Sequence, residues 1–174
     1  MKNQDILENN NKIAFLSIGS NLGNKKKNIE LAKFELRKNN IIIVNSSSNY
    51  ETLSWPNKAK PKFVNVVLKI RSHLSPYNLM EKFLYIEKKL GRKRNKKNEP
   101  RICDIDIIDY DNKIIKKNFK NNLSIPHPRM HKRNFVLFPL FEINKTWIHP
   151  LKKTSIKELI KSLKIEELRA IKLL

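Results

Sequence analysis

The chain has 174 residues, of which 40% are apolar, and its 37 Lys and Arg against 16 Asp and Glu give a formal charge of +21. This length favours a single domain, 1–174. The lone cysteine excludes an internal disulfide, and residues 1–11 form a polar tail without the apolar core of a secretory signal. Because no later stretch approaches the length of a membrane span, we expect a cytoplasmic protein with no membrane partner.

The positive charge would attract any polyanion but specifies none. Much of it comes from Lys scattered among Asn and Ile along the whole chain, a bias that often accompanies AT-rich coding sequence. We therefore expect no specific nucleic-acid partner, with a dedicated nucleic-acid patch as the less favoured alternative.

The first half of the chain predicts strands around one helix. Residues 12–18 form an apolar strand that ends in the turn Gly-Ser-Asn-Leu-Gly, 19–23, and a charged segment with helical spacing follows over 29–36. The β-branched segments 41–50 and 63–70 predict two strands joined by a long loop.

The second half begins with a capped helix. Ser75-Pro76 supplies an N-cap and a first-turn proline, and apolar residues recur at helical spacing until Gly91. A strand over 102–108 follows, and the order β-α-β-β-α-β predicts an α+β, ferredoxin-like fold in which two helices cover one face of an antiparallel sheet.

The C-terminal part is predicted with less regular structure. The turn at 111–113 predicts a hairpin into residues 114–115, and a short helix is predicted over 133–140. A helical hairpin from residue 155 would form a C-terminal helical extension, 152–174.

Two carboxylates interrupt the apolar run 102–108. Side chains alternate across a strand, so Asp104 and Asp106 share one face while Cys103, Ile105 and Ile107 share the other. Two desolvated carboxylates repel unless a cation compensates them, and oxygen ligands suit Mg²⁺. A solvated strand face is the competing interpretation, but the isoleucines favour burial. Cys103 is expected to be a packed apolar residue rather than a nucleophile.

A basic segment, 91–101, precedes these aspartates and indicates a polyphosphate substrate. It has no apolar periodicity between Gly91 and Pro100, so we expect it to close as a lid over the bound polyphosphate. Together the segment and the carboxylates predict a phosphoryl-transfer site.

Four separated segments, in order, resemble the 6-hydroxymethyl-7,8-dihydropterin pyrophosphokinases, folate-pathway enzymes that move a diphosphate from ATP to a pterin alcohol. They are the turn at 18–23, the segments 50–52 and 63–65, the basic segment with its aspartates at 91–106, and the ending at 125–137. The resemblance spans roughly residues 12–143, and the third segment is the most specific.

The resemblance implies a monomeric, Mg²⁺-dependent diphosphokinase that uses ATP and 6-hydroxymethyl-7,8-dihydropterin. Asp104 and Asp106 would hold two Mg²⁺ ions, and Arg92 and Arg101 would stabilise the transferring group. Matching positions on the nucleotide side are Glu87, Ser124, His127 and Arg133, with Arg94, Lys96 and Lys97 as looser candidates for ATP binding. A flat pterin ring needs aromatic faces and an amide, and Phe63, Phe135 and Asn65 match those family positions. Thr52 lies nearby in the sequence for further contacts, and Trp55 could cap the pocket from the long loop.

Several of these residues have ordinary structural interpretations. A lone histidine such as His127 is more often structural, and Phe63 and Phe135 alone would be assigned to a core. The sequence also departs from the family at 97–99, where an aromatic residue and a glycine are frequent, at Leu53-Ser54, where prolines are frequent, and at Asn24, where an acid is frequent. We expect altered loop stiffness and retained activity.

Two other functions use the same topology. An RNA-binding domain should carry paired aromatic residues on its central strands, and that pattern is absent from the sequence. A non-catalytic regulatory module would leave the paired aspartates and clustered arginines without a purpose.

Overall fold

The computed structural model describes residues 11–54, 57–93, 99–117 and 122–174. Within them, six strands form one antiparallel sheet in the order β5-β1-β4-β3-β6, and β2 pairs with β4 beside β3. The strands are β1 Lys12–Ser20, β2 Ile42–Ser46, β3 Tyr50–Thr52, β4 Phe63–Ser72, β5 Asp104–Tyr110 and β6 Ile171–Leu173. The helices are α1 Lys25–Lys38, α2 Pro76–Lys89, α3 Asn134–Ile143, α4 Ile156–Lys161 and α5 Ile165–Arg169, with a 3₁₀ turn at Met130–Lys132.

Helices α1 and α2 cover one face of the sheet, which confirms the ferredoxin-like prediction. The Ser75 hydroxyl accepts a hydrogen bond from the Asn78 amide at the start of α2, and Gly91 follows the helix with a φ of +94°. Both helices bury an apolar stripe against alternate residues of β1, β4 and β5. The stripe of α1 is Ile29, Ala32 and Leu36, and that of α2 is Leu79, Phe83 and Ile86.

A second core lies on the opposite face. Helices α3 and α4 pack there against Phe15 of β1, Val67 of β4 and Ile108 of β5, together with Trp147. Ile107 lies in the first core and Ile108 in the second, as strand alternation requires, and a register shift between Phe15 and Leu16 opposite β5 then returns Tyr110 to the first core. The sheet is therefore covered on both faces, and only the first layer was predicted.

The strand predicted over 41–50 is two strands. The Ser47 amide donates to the Val67 carbonyl at 2.9 Å, but the Val67 amide donates back to the Ser47 hydroxyl at 3.0 Å rather than to its carbonyl, and β2 and β3 pair with different stretches of β4. The prediction of one strand was wrong because the regular ladder breaks at Ser47 and resumes in another register at Tyr50.

One prediction for the later chain was also wrong, and one, whose two helices form at Ile156–Lys161 and Ile165–Arg169, was incomplete. Asp111 and Asn112 form a turn with φ near +53°, but Ile115 then pairs with Ile125 and packs on the first core instead of returning along β5. The C-terminal extension is not all helical, because its last residues form β6, which pairs with the otherwise open edge of β3.

The register brings the ends of three strands together. Gly19 of β1 pairs with Asp104 of β5 on one side and with Asn65 of β4 on the other. Paired residues of antiparallel strands share a face, so these positions form one row across the sheet beside the start of α3. In the described part of the chain, no helix has both the length and the apolar character needed to cross a bilayer.

Candidate active site

The central position in this row is a glycine, and its lack of a side chain matters. A Cβ at Gly19 would lie 3.0 Å from the Asn65 amide oxygen and 3.4 Å from the Phe63 ring. Glycine therefore lets these two side chains occupy the space above β1. The sequence alone predicts only a turn at Gly19 and no role for this residue in the site.

The aspartates lie on this face of β5, as predicted. Ile105 and Ile107 are buried in the first core, while the side chains of Asp104 and Asp106 retain 19% and 39% of their exposure. The carboxylates thus point away from the apolar layer that fixes their strand.

Both arginines predicted to be catalytic pair with Asp104. Arg92 contacts its Oδ1 and Arg101 its Oδ2, and Arg92 also lies 2.6 Å from Glu87. Burial by itself would raise the pKa of Asp104, but Arg101 and Arg92 outweigh burial and lower it. Asp104 is therefore charged and already compensated by guanidinium groups.

Glu87 holds this arrangement from α2. Its carboxylate is buried, accepts a hydrogen bond from the Ile105 amide at 2.8 Å, and pairs with Arg92. It therefore fixes the start of β5 and the position of one arginine. A contact between Glu87 and the nucleotide stays a prediction.

Asp106 has a different electrostatic environment. Burial, followed by the charge of Asp104, raises its pKa to about 6. Its nearest described cation is Arg133, at a long 3.5 Å. The cations among the described residues thus leave Asp106 undercompensated, as expected of a carboxylate that could take a further cation.

His127 is neutral near physiological pH. Burial, with the charges of Arg133 and Arg129, lowers its pKa to about 4. Its Nδ1 accepts a hydrogen bond from the Arg129 amide at 3.2 Å, so the ring proton is assigned to Nε2, which lies 3.5 Å from Arg133. The ring can offer an N–H donor to a phosphate or ribose oxygen without adding charge.

The two phenylalanines predicted to stack on the pterin lie beside arginines. The Arg101 guanidinium is 4.9 Å from the centre of the Phe63 ring, and Arg133 is 5.4 Å from that of Phe135. Both rings are half-buried. The structure therefore places the candidate ring-binding side chains directly against the candidate phosphate-binding ones.

The remaining candidates are placed as follows. Thr52 and Asn65 are buried and joined, because the Asn65 amide donates to the threonine hydroxyl at 3.0 Å. Ser124 is half-buried and precedes the buried Ile125. Trp55, Arg94, Lys96 and Lys97 lie outside the described residues, as does most of the predicted lid.

Sequence reasoning missed Asn21, which is 3% exposed and bonded to two other segments of the site. The signal was a polar residue directly after an apolar strand, which resembles an ordinary turn. The prediction for Cys103 is confirmed: it is 1% exposed, and burial raises the pKa of its thiol to about 12.

The donor set fits Mg²⁺ that arrives with phosphates. The described residues contain no group of three or more His, Cys, Asp or Glu side chains that could hold a metal. Mg²⁺ is commonly bound by one or two carboxylates plus substrate phosphates and water, so the pair Asp104 and Asp106 would fit such an ion.

Comparison with known proteins gives a consistent result. Residues 15–145 match the family described as 7,8-dihydro-6-hydroxymethylpterin-pyrophosphokinase (HPPK). The 2-amino-4-hydroxy-6-hydroxymethyldihydropteridine pyrophosphokinase of Aquifex aeolicus is 36% identical over 144 residues, which cover 83% of this chain and 88% of that protein. The Haemophilus influenzae protein of the same name is 36% identical over 149 residues, covering 85% and 91%.

Longer relatives match over one part only. The folic acid synthesis protein FOL1 of Dictyostelium discoideum is 38% identical over 149 residues, 86% of this chain but 22% of that protein. The chain thus spans about a fifth of such relatives.

The fold also matches a solved structure. The crystal structure of Plasmodium falciparum HPPK-DHPS wild type superimposes with a TM-score of 0.70 at 16% identity, covering 87% of this chain and 44% of that one. The chain belongs to the 7,8-dihydro-6-hydroxymethylpterin-pyrophosphokinase family.

Proposed function

We propose that this protein transfers a diphosphate from ATP to the hydroxymethyl group of 6-hydroxymethyl-7,8-dihydropterin, releasing AMP, as a step of folate biosynthesis in the cytoplasm. The observation that carries the proposal is the row across the sheet in which the metal-type carboxylate of Asp104, the open position of Gly19 and the amide of Asn65 are adjacent. This row sets an anionic, metal-binding end against a ring-binding end.

The nucleotide end uses four cationic or neutral donors. Arg92 and Arg101 contact Asp104, Arg133 lies near Asp106, and His127 lies beside Arg133. We propose that ATP phosphates take these donors as partners. Mg²⁺ held by Asp104 and Asp106 would neutralise phosphate charge and orient the β-phosphoryl group.

The pterin end uses a buried amide and two rings. Asn65 is fixed by Thr52, and the Phe63 ring lies beside the space above Gly19. A flat heterocycle between Phe63 and Phe135 would bring its hydroxymethyl oxygen toward two guanidinium groups. Arg101 lies over the Phe63 ring, and Arg133 lies over the Phe135 ring. Attack of that oxygen on the β-phosphorus forms one P–O bond, the bond from the β-phosphorus to the α,β-bridging oxygen breaks as AMP leaves, and the hydroxyl proton is released to solvent.

Product analysis tests the reaction. The protein is incubated with ATP, Mg²⁺ and 6-hydroxymethyl-7,8-dihydropterin, and the nucleotides are separated by chromatography. We expect AMP in equal amount to the pterin diphosphate, with none formed when EDTA or no pterin is present. Formation of ADP, or AMP that appears equally without the pterin, would contradict the proposal.

Adding one methyl group at Gly19 should weaken pterin binding selectively. The Cβ of a Gly19→Ala variant must displace the Asn65 amide or the Phe63 ring, so we expect the KM for the pterin to rise about tenfold, a cost of the size of one misplaced hydrogen bond. The dissociation constant of an ATP analogue, measured by fluorescence titration, should change less than about twofold. Equal losses for both ligands would contradict this placement.

Nucleotide binding should depend on the charge of Asp106. Because its pKa is raised to about 6 in the ligand-free protein, the carboxylate is ionised above that pH and must lose a proton before it binds Mg²⁺ below it. We expect affinity for a Mg²⁺-ATP analogue to be flat from about pH 7 to 8 and to fall about tenfold by pH 5. An Asp106→Asn variant reports the titration of the nucleotide alone, and an identical pH profile in that variant would refute the assignment.

A further inference from the structure

We infer that Asn21 is a positioning residue that ties the loop between β3 and β4 to the backbone of Arg101, so that one buried amide sets both the pterin side and the phosphate side of the site. This inference rests on the proposed function for its kinetic consequences. The coupling itself is a property of the folded chain and is testable without substrate.

The first observation is the burial of Asn21 and the completeness of its bonding. The residue is 3% exposed, yet its side chain makes three hydrogen bonds. Its backbone amide also donates to the Arg101 carbonyl at 3.0 Å. Burying an amide is costly unless it is paired, so a fully paired amide at this position specifies the arrangement of its partners.

The partners belong to two different segments. The Asn21 Oδ1 accepts a hydrogen bond from the Arg101 amide at 2.7 Å, across 80 residues of sequence. Its Nδ2 donates to the Pro61 carbonyl at 3.1 Å and to the Ser54 hydroxyl at 3.3 Å. Ser54 in turn donates to the same Pro61 carbonyl at 2.7 Å, which closes the network at both ends of the loop.

These partners also fix the orientation and identity of the amide. One side faces an N–H donor and the other faces two oxygen atoms, so only the orientation with Oδ1 toward Arg101 satisfies all three bonds. An aspartate would place a second oxygen against the Pro61 carbonyl. The site therefore calls for a side chain that both donates and accepts.

The two tied segments carry different parts of the proposed chemistry. The guanidinium of Arg101 pairs with Asp104 and lies over Phe63. Displacement of the Arg101 backbone would therefore move the guanidinium that is proposed to bind phosphate. Residues 54 and 61 lie on the loop between β3 and β4, which leads directly into Phe63. Loosening Asn21 should therefore affect ring binding and group transfer together.

Three variants separate the two arms of the network. Asn21→Ala removes all three side-chain bonds. Asn21→Asp retains the acceptor for Arg101 but loses the donors to the loop, and Ser54→Ala loosens the loop alone. Asn28→Ala is the matched control, because it removes two side-chain bonds within the same turn, to Ser20 and Leu22, without touching either segment.

The first readout is hydrogen exchange in the full chain without substrate. We expect Asn21→Ala to speed exchange about tenfold or more in both segments, 57–62 and 99–103, consistent with loss of buried hydrogen bonds. Asn21→Asp and Ser54→Ala should speed exchange in 57–62 only, and Asn28→Ala in neither. Faster exchange in only one segment of Asn21→Ala would overturn the coupling.

The second readout is a kinetic split. In Asn21→Ala we expect kcat to fall and the KM for the pterin to rise, each about tenfold, with the affinity for a Mg²⁺-ATP analogue within about threefold of wild type. Asn21→Asp should mainly raise the pterin KM. Kinetic losses that vanish on cooling below the variant's Tm would show a purely structural role and refute the inference. If the wild type forms no AMP, the proposed function fails, and hydrogen exchange alone decides the coupling.

Discussion

Replacing Asp104 or Asp106 by alanine should lower Mg²⁺-dependent AMP formation by at least about a thousandfold, because each change removes a carboxylate from the only paired acidic face of β5. Asp104→Ala would also leave Arg92 and Arg101 without their shared partner. The measurement is AMP release at saturating ATP and pterin. Turnover retained in both variants would remove the proposed metal site.

The fold should survive these changes. Asp106 is ionised at neutral pH, but its pKa is raised to about 6, so the charged carboxylate is less favourable in the folded, metal-free protein than in the unfolded chain. By linkage, Asp106 lowers the free energy of unfolding at neutral pH. This destabilisation diminishes as the pH falls from about 6 toward the pKa of Asp106 in the unfolded chain. Asp106→Asn should therefore unfold at an equal or higher temperature than wild type at pH 7.5. A lower Tm would contradict this electrostatic assignment.

Asp111→Asn is the matched control. Asp111 follows β5, forms a 3.4 Å ion pair with Lys12, and lies at the end of the strand away from the site. We expect its activity to remain within about twofold of wild type, since exposed ion pairs contribute little.

Replacing Arg101 by alanine should lower kcat by about three orders of magnitude or more, in the range seen when an arginine that stabilises a transferring phosphoryl group is removed. Arg101 pairs with Asp104 and lies over Phe63, so its guanidinium is held where the two substrates would meet. Single-turnover measurement of AMP formation separates this loss from substrate binding.

Lysine should not substitute well at this position. Its ammonium group is a point charge that cannot contact a carboxylate and lie flat over a ring at once. We expect Arg101→Lys to recover less than about a tenth of wild-type kcat, and Arg71→Ala, at the exposed far end of β4, to change it little. Full activity in Arg101→Lys would show that charge alone is required.

The fold was predictable from the sequence where local and tertiary signals agree. The cap at Ser75, the helical spacing through α2 and the alternation around Asp104 each predict the element that forms. The second core was not predictable, because α3 is apolar around most of its surface and gives no direction for packing. Strand β6 was missed because three residues form a strand only when an open edge such as β3 is available.

The candidate site was predictable in its charged residues but not in its supports. Paired aspartates on an apolar strand and a dense basic segment are both recognisable from the sequence alone. The role of Gly19 depends on what lies 3.0 Å from an absent Cβ, and that of Asn21 depends on a partner 80 residues away. Such contacts arise only after the strands are in register. Burial raises the pKa of both Asp104 and Asp106, but that of Asp104 is lowered overall because Arg92 and Arg101 contact Asp104 rather than Asp106, which the sequence does not show.

We propose that Asp104 and Asp106 bind Mg²⁺ together with ATP, whose phosphates are bound by the nearby guanidinium groups. Isothermal titration of the protein with α,β-methylene-ATP, which cannot transfer a diphosphate, tests this claim most directly. We predict binding in the presence of Mg²⁺ that weakens by at least about a hundredfold in EDTA and in either aspartate-to-alanine variant. Equal affinity with and without Mg²⁺ in the wild-type protein would contradict the account.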